Sequence, residues 1–238
     1  MLGKSIGTNS LLLGLFALIT AGVLASTKLL TNDRIAAAER AAAQKALLQI
    51  VPLERHNNDL LVDTLNIPEK FWPELGLKKG GHINIARAQN KFVAAIIPAV
   101  AADGYSGKIG MMIGINLDGS LAGVRVLSHT ETPGLGDKID LKKSDWILGF
   151  NGKSLSNPRL DGWKVKKDGG VFDAFTGATI TPRAVVKSIK KTLLVFEAIK
   201  PQLLTQALTP KSIQKSIPLN IPESTFKNTA ENTNEVTP

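Results

Sequence analysis

The 238-residue chain has no cysteine, so it carries no disulfide frame, no thiolate metal site and no iron–sulfur ligation. That absence is compatible with either redox compartment. Aromatic residues make up only 5% of the chain, with a single tyrosine. Its three histidines, His56, His82 and His129, are too dispersed for a HExxH-type metal motif. There is no nucleophile elbow, no phosphate-loop lysine motif and no dinucleotide-type glycine fingerprint. No complete catalytic constellation is written into the chain.

Charge is also missing from one long stretch, since no charged residue stands between Lys4 and Lys28. A bilayer span takes about 20 predominantly apolar residues, and the run centred on Leu11 to Ile19 is long enough. Two readings stand: an uncleaved anchor, or a signal peptide cut near Val23-Leu24-Ala25-Ser26. The flanking lysines and arginines give no firm orientation. The net charge of +9 invites a nucleic-acid partner. Basic residues are not interleaved with stacking aromatics, however, and solvation, an anionic membrane surface or bound phosphate accounts for the excess.

Four regions follow from composition: an anchor over 1–30, a stalk helix over 31–52, a folded domain over 53–208 and a polar tail over 209–238. Asn32 or Asp33 can cap the stalk, which continues through alanine-rich Ala36 to Ala46 and ends before Pro52. Residues 53–81 read as loops with short helical turns. Strands are expected over Phe92–Val100, Lys108–Ile115 and Ser120–Leu127, with a hairpin turn at Asn116-Leu117-Asp118-Gly119. A further strand is expected over Trp163–Lys166, closed by Asp168-Gly169-Gly170. Strands first and a long helix afterwards argue for an α+β fold, a mostly antiparallel sheet with packed helices. The tail, proline-punctuated and polar, is expected to be disordered.

The richest local pattern is Asp173-Ala174-Phe175-Thr176-Gly177-Ala178-Thr179-Ile180-Thr181-Pro182, a hydroxyl-bearing loop running into a helix. Thr181 reads as the N-cap and Pro182 as the first helical residue, with an apolar stripe from Ala184 through Phe196 that stops before Pro201. A helix start offers unpaired N–H groups and a positive dipole end, which favour a phosphate. Thr179 thus places a hydroxyl beside an anion site, with Gly177 and Ala178 keeping its approach open. The bland reading is a structural cap alone. Arg183 and Lys187, one helical turn apart, could neutralise a phosphate or be solvated cations.

Asp173-x-x-Thr176-Gly177-Ala178-Thr179 resembles the motif at which a flavin transferase esterifies FMN, through its phosphate, onto the last threonine. The family is the FMN-binding domain of Rnf-type (also Rsx) electron transport complexes and of the related sodium-pumping quinone reductases. Thr130-Glu131-Thr132-Pro133-Gly134-Leu135-Gly136, Trp146-Ile147-Leu148-Gly149-Phe150 and the N-terminal anchor carry the resemblance further, to about Lys200. It is nearer to the G-type subunit of the Rnf branch than to the C-type subunit of the NADH:quinone reductase, which stays the alternative. An exported binding module without a redox role, or an enzyme with noncovalent FMN, are the others.

What the resemblance implies is specific. FMN would be bound covalently on Thr179, with Thr176, Gly177, Ala178, Ile180, Thr181 and Lys187 around the attachment. The second loop would contribute Glu131, Thr132, Leu135 and Gly136. Tyr105 and Trp146 are further ring-contact candidates, with ordinary core packing as the other reading. Asp173 would be part of what the transferase recognises. The chain would be a single-pass inner-membrane protein with its main domain in the periplasm, carrying electrons within a complex that couples redox flow to ion movement. Its partners would be other membrane subunits and, transiently, the flavin transferase.

Overall fold

A computed structural model describes residues 2–208 of the chain. The expected disordered tail, 209–238, lies outside the described residues. The element order is a long helix α1 (Leu2–Ile50), five strands, and a second helix α2 (Ile180–Leu208). The strands are β1 (Thr64–Asn66), β2 (His82–Ala88), β3 (Lys91–Ala101), β4 (Ile109–Asn116) and β5 (Leu121–Ser128). They form one antiparallel sheet in the order β1-β2-β3-β4-β5.

No proline interrupts the chain before Pro52, and α1 runs unbroken from the apolar segment into the stalk. Asn32 and Asp33 therefore lie inside a helix and cap nothing. Among the described residues α1 is the one helix long and apolar enough to cross a membrane. Its apolar side chains, Leu11 to Leu24, are exposed. Hydroxyls in and just beyond this region turn back onto the preceding turn: Thr20 donates to the Phe16 carbonyl at 2.9 Å and Thr27 to the Val23 carbonyl at 2.8 Å. Such back-bonding satisfies groups that hydrocarbon could not.

The sheet is sandwiched. On one face α2 lays down Val185, Val186, Ile189, Leu193 and Phe196 against Ile97, Ala99, Met111 and Ile113. On the other, the last turns of α1 bring Leu47, Ile50 and Val51 onto Ala86, Ala94 and Ile96. The alternation along β3, with Ala94 and Ile96 facing one way and Ala95 and Ile97 the other, is the period-two pattern of a strand buried on both sides. Two glycines let α1 approach. A Cβ on Gly114 would lie 2.1 Å from Ile50 Cγ2, and one on Gly123 would lie 3.6 Å from Ile50 Cα.

The direction of α1 positions everything else. Ile50 lies over Gly123, Gln49 bonds Arg125, and Ala42 and Lys45 line a cleft with Val126 and Leu127. Followed back toward its N-terminus, α1 runs along β5 toward Ser128. It leaves the sheet at the end where β3 and β5 finish and β4 begins.

Three sequence expectations need correction. Residues 53–81 include β1, and β2 follows directly. Their signals were the alternation of His82 to Arg87 and the pair Gln89-Asn90, both at positive φ (50° and 63°) as a two-residue hairpin requires. Trp163–Lys166 is not a strand. Only an isolated bridge, Val165 to Phe172, forms there, because the segment coils so tightly that a Cβ on Gly170 would sit 2.0 Å from the Lys164 carbonyl oxygen. Finally, α2 does not stop before Pro201 but continues to Leu208. Pro201 is exposed, so water can serve the Glu197 carbonyl that loses its partner.

Candidate functional site

Three loops meet at the end of the sheet from which α1 departs: residues 102–108 between β3 and β4, residues 129–136 after β5, and residues 173–179 before α2. One carboxylate gathers them. Glu131 is buried, accepting from the Ser106 N–H at 3.0 Å through Oε1 and from the Thr181 hydroxyl through Oε2. Thr130 adds a bond from its hydroxyl to the Ser106 carbonyl at 2.8 Å. Gly136 is required by crowding, since a Cβ there would lie 2.8 Å from Thr181 Oγ1 and 2.9 Å from Glu131 Oε2. The Thr132 carbonyl accepts from the N–H groups of Leu135 and Gly136, both at 3.1 Å, closing the loop on itself.

The attachment loop turns tightly. The Ala178 N–H reaches the Phe175 carbonyl at 3.1 Å, and Gly177 in the third turn position has φ +81°, a conformation that favours glycine. α2 then begins at Ile180, ahead of the position that Pro182 suggested. Thr179, not Thr181, is the residue before the helix, and its carbonyl accepts from the Arg183 N–H at 3.3 Å. Thr181 is fully buried and its hydroxyl is spent on Glu131. Pro182 falls within the first turn, where its missing N–H removes only one of the groups that lack an intrahelical acceptor.

Thr176 and Gly177 are exposed, and Thr179 is half-buried. Leu135 and Ile180 are exposed apolar residues, and Leu135 Cδ2 would stand 3.6 Å from a Cβ on Gly177. Tyr105, 68% exposed, projects from the first loop. A hydroxyl, the N–H groups at a helix start and exposed apolar side chains form a donor set that fits a phosphorylated flat ring. FMN is such a group.

The charged candidates are paired. Arg183 forks onto Asp168, with both contacts at 2.5 Å, and Lys187 Nζ lies 2.7 Å from Asp103. Each carboxyl is held below its ordinary value, Asp168 foremost by the hydrogen bond from Arg183 and Asp103 foremost by that from Lys187. Asp173 is exposed and pairs with Lys166 at 2.6 Å.

Trp146 is turned inward. Its Nε1 donates to the Asp173 carbonyl at 2.9 Å, and its ring meets Phe150 and Phe175 edge-on at 5.1 and 5.0 Å. Phe150 in turn stacks on Phe172 at 4.6 Å. Trp146 and Phe150 belong to a motif singled out along the chain and Phe175 to the attachment loop, but nothing in the sequence shows that they and Phe172 form one aromatic bed. Its residues are separated along the chain and look there like ordinary core.

Comparison with known proteins agrees with this geometry. The family profile described as FMN-binding domain matches residues 104–194, which takes in most of the first loop, the whole of the other two and the first half of α2. A second, described as RnfG N-terminal region, matches residues 1–50, which takes in α1. The chain is 48% identical over 202 residues to the G-type subunit of the ion-translocating oxidoreductase complex of Pseudomonas aeruginosa, covering 84% of this chain and 93% of that protein. It is 46% identical over 203 residues to the same-named protein of Vibrio atlanticus, covering 85% and 96%. To that of Shewanella amazonensis it is 47% identical over 195 residues, covering 82% and 90%.

Proposed function

The chain belongs to the family of G-type subunits of ion-translocating oxidoreductase complexes and is an FMN-carrying subunit of such a complex, in which, we propose, the FMN is held as a phosphoester on Thr179. The observation that carries this reading is the position of Thr179, whose hydroxyl stands at the residue before α2, beside the unpaired N–H groups of the helix start. FMN supplies one- and two-electron redox chemistry at its ring.

The protein supplies the rest. The Thr179 hydroxyl would supply the ester oxygen, displacing at phosphorus the leaving group of the transferase's flavin donor, which departs with the proton, and the start of α2 would offset the remaining phosphate charge. Leu135, Ile180 and Tyr105 offer apolar area to the ring, while Thr132, Thr176, Gly177 and Ala178 line the approach. Glu131, Thr181 and Gly136 act behind this surface by locking the loops together. Lys187, already paired with Asp103, is the nearby cation that could also meet the phosphate. Asp173, exposed at the rim, is accessible to a flavin transferase.

We place the domain on the periplasmic face of the inner membrane, with α1 as the single span. α1 departs from the sheet end that carries Thr179, so this arrangement turns the flavin toward the membrane and its partner subunits. Within the complex the chain acts as an electron carrier that turns over no substrate alone.

The test is intact mass and in-gel flavin fluorescence of denatured protein made alongside a flavin transferase. Wild type is expected to carry an adduct of FMN less water, and Thr179→Val none. An unmodified wild type, with the transferase active on a control acceptor, would overturn the covalent reading.

A further inference from the structure

Arg125 on β5 is a half-buried guanidinium whose hydrogen bonds all go to neutral groups. Nε donates to Gln49 Oε1 at 3.0 Å, Nη2 to the Gln49 carbonyl at 3.2 Å and Nη1 to the Val124 carbonyl at 2.7 Å. Burial lowers its pKa from the ordinary value, as expected for a cation taken from water without a counter-charge. Beside it a cleft of about 250 Å³ opens between α1 and the end of β5. Lys45 and Lys142 line the same cleft, with Asp140 as the one carboxylate among its walls. Asp140 Oδ1 already accepts the Lys142 N–H at 2.9 Å. Among the described residues none of the three cations stands in an ion pair.

We propose that this cleft receives an acidic segment of another subunit of the complex, its carboxylates meeting Lys45, Arg125 and Lys142. The inference rests on the complex membership argued above. Apart from Gln49, which is bonded to Arg125, the remaining walls, Ala42, Ala46 and Leu141 among them, are apolar and suit side chains more than a free inorganic anion. A lipid headgroup is out of reach. At about 1.5 Å rise per residue, Ala42 stands about 21 Å along α1 from Lys28, where the uncharged run ends, and a headgroup layer is only about 5–8 Å thick. Asp140–Lys142, one wall of the cleft, follow the 129–136 loop along the chain after a short 3-10 helix, Gly136–Ile139.

The test uses the whole complex, purified in detergent through a tag on this chain. Lys45 and Lys142 are exposed, so Lys45→Glu with Lys142→Glu should leave folding and flavin fluorescence intact. Placing like charges opposite the acidic segment is expected to lower the co-purifying subunits about tenfold. p-Benzoylphenylalanine incorporated at Ala42 should cross-link, on illumination, to an Asp/Glu-rich stretch of another subunit. Undiminished co-purification by the double variant would overturn the proposal, as would cross-linking to phospholipid alone. A wild-type chain that purifies without other subunits would instead remove the membership on which the inference stands.

Discussion

The Thr181 hydroxyl donates to the carboxylate of Glu131, and both residues are buried. The Ser106 N–H occupies the other carboxylate oxygen. This tie joins the start of α2 to two loops that come from distant parts of the chain.

Thr181→Val keeps the side-chain shape but leaves a buried carboxylate oxygen without its donor, an expected loss of about 1–3 kcal/mol. Glu131→Gln should cost less, because its amide can still accept from Ser106 and donate to Thr181. Chemical denaturation of the flavin-free protein in detergent reads both. A Thr181→Val midpoint equal to wild type would show that the tie contributes nothing.

The glycines of the second loop should separate by mechanism. At Gly136 an added Cβ meets Thr181 Oγ1 at 2.8 Å and Glu131 Cβ at 3.0 Å, so Gly136→Ala is expected to disrupt the loop and cut flavin attachment. At Gly134 nothing lies within 4 Å, and the cost of Gly134→Ala is only the backbone strain at φ +76°, about 1 kcal/mol. In-gel fluorescence should therefore fall sharply for the first and little for the second.

Asp168 and Asp103 have folded pKa values below their ordinary 3.8. A depressed carboxyl stabilises the fold above its unfolded pKa, and that contribution drains away as pH falls through the lower folded value. Asp168→Asn and Asp103→Asn should thus differ from wild type in thermal midpoint at pH 7 and converge with it once the pH has fallen below the lowered folded pKa of each carboxyl. Both pairs are solvent-exposed, so the differences should also shrink in high salt. Persistence of either difference at acid pH would rule out the ion pair as its source.

Gly114→Val would drive a side chain into Ile50, whose Cγ2 lies 2.1 Å from the first added carbon. Overpacking of this kind costs about 1–3 kcal/mol. It should free the end of α1, making residues 51–58 more sensitive to limited proteolysis. Combining it with Ile50→Ala should restore part of the protection, and no recovery would mean that the clash lies elsewhere.

Much of this was legible along the chain. The strands over 92–100, 108–115 and 120–127 announced themselves by β-branched runs and a glycine turn, and the uninterrupted apolar and alanine-rich start announced α1. β1 was hidden because it is only three residues long and runs straight into Ile67-Pro68, and β2 because Gly80-Gly81 precede it and the Gln89-Asn90 hairpin lacks glycine. The start of α2 was placed too late. Thr181-Pro182 is a strong local signal, but the pull of buried Glu131 on Thr181, a tertiary contact, draws Thr181 into the helix. For the same reason the loop residues could be named while their division of labour could not. Glu131 reads along the chain as a flavin-loop residue and Thr181 as a helix cap, and in the fold their side chains are buried against each other.

Nothing in α1 between its apolar run and Ile50 interrupts the helix, and Ile50 is wedged over Gly114 and Gly123. The domain accordingly has no joint near the membrane about which to swing. A cofactor mounted this way is a fixed stepping stone and not a ferry: its spacing from neighbouring redox centres is set by assembly, and electron passage through it needs no diffusive search and is indifferent to solvent viscosity.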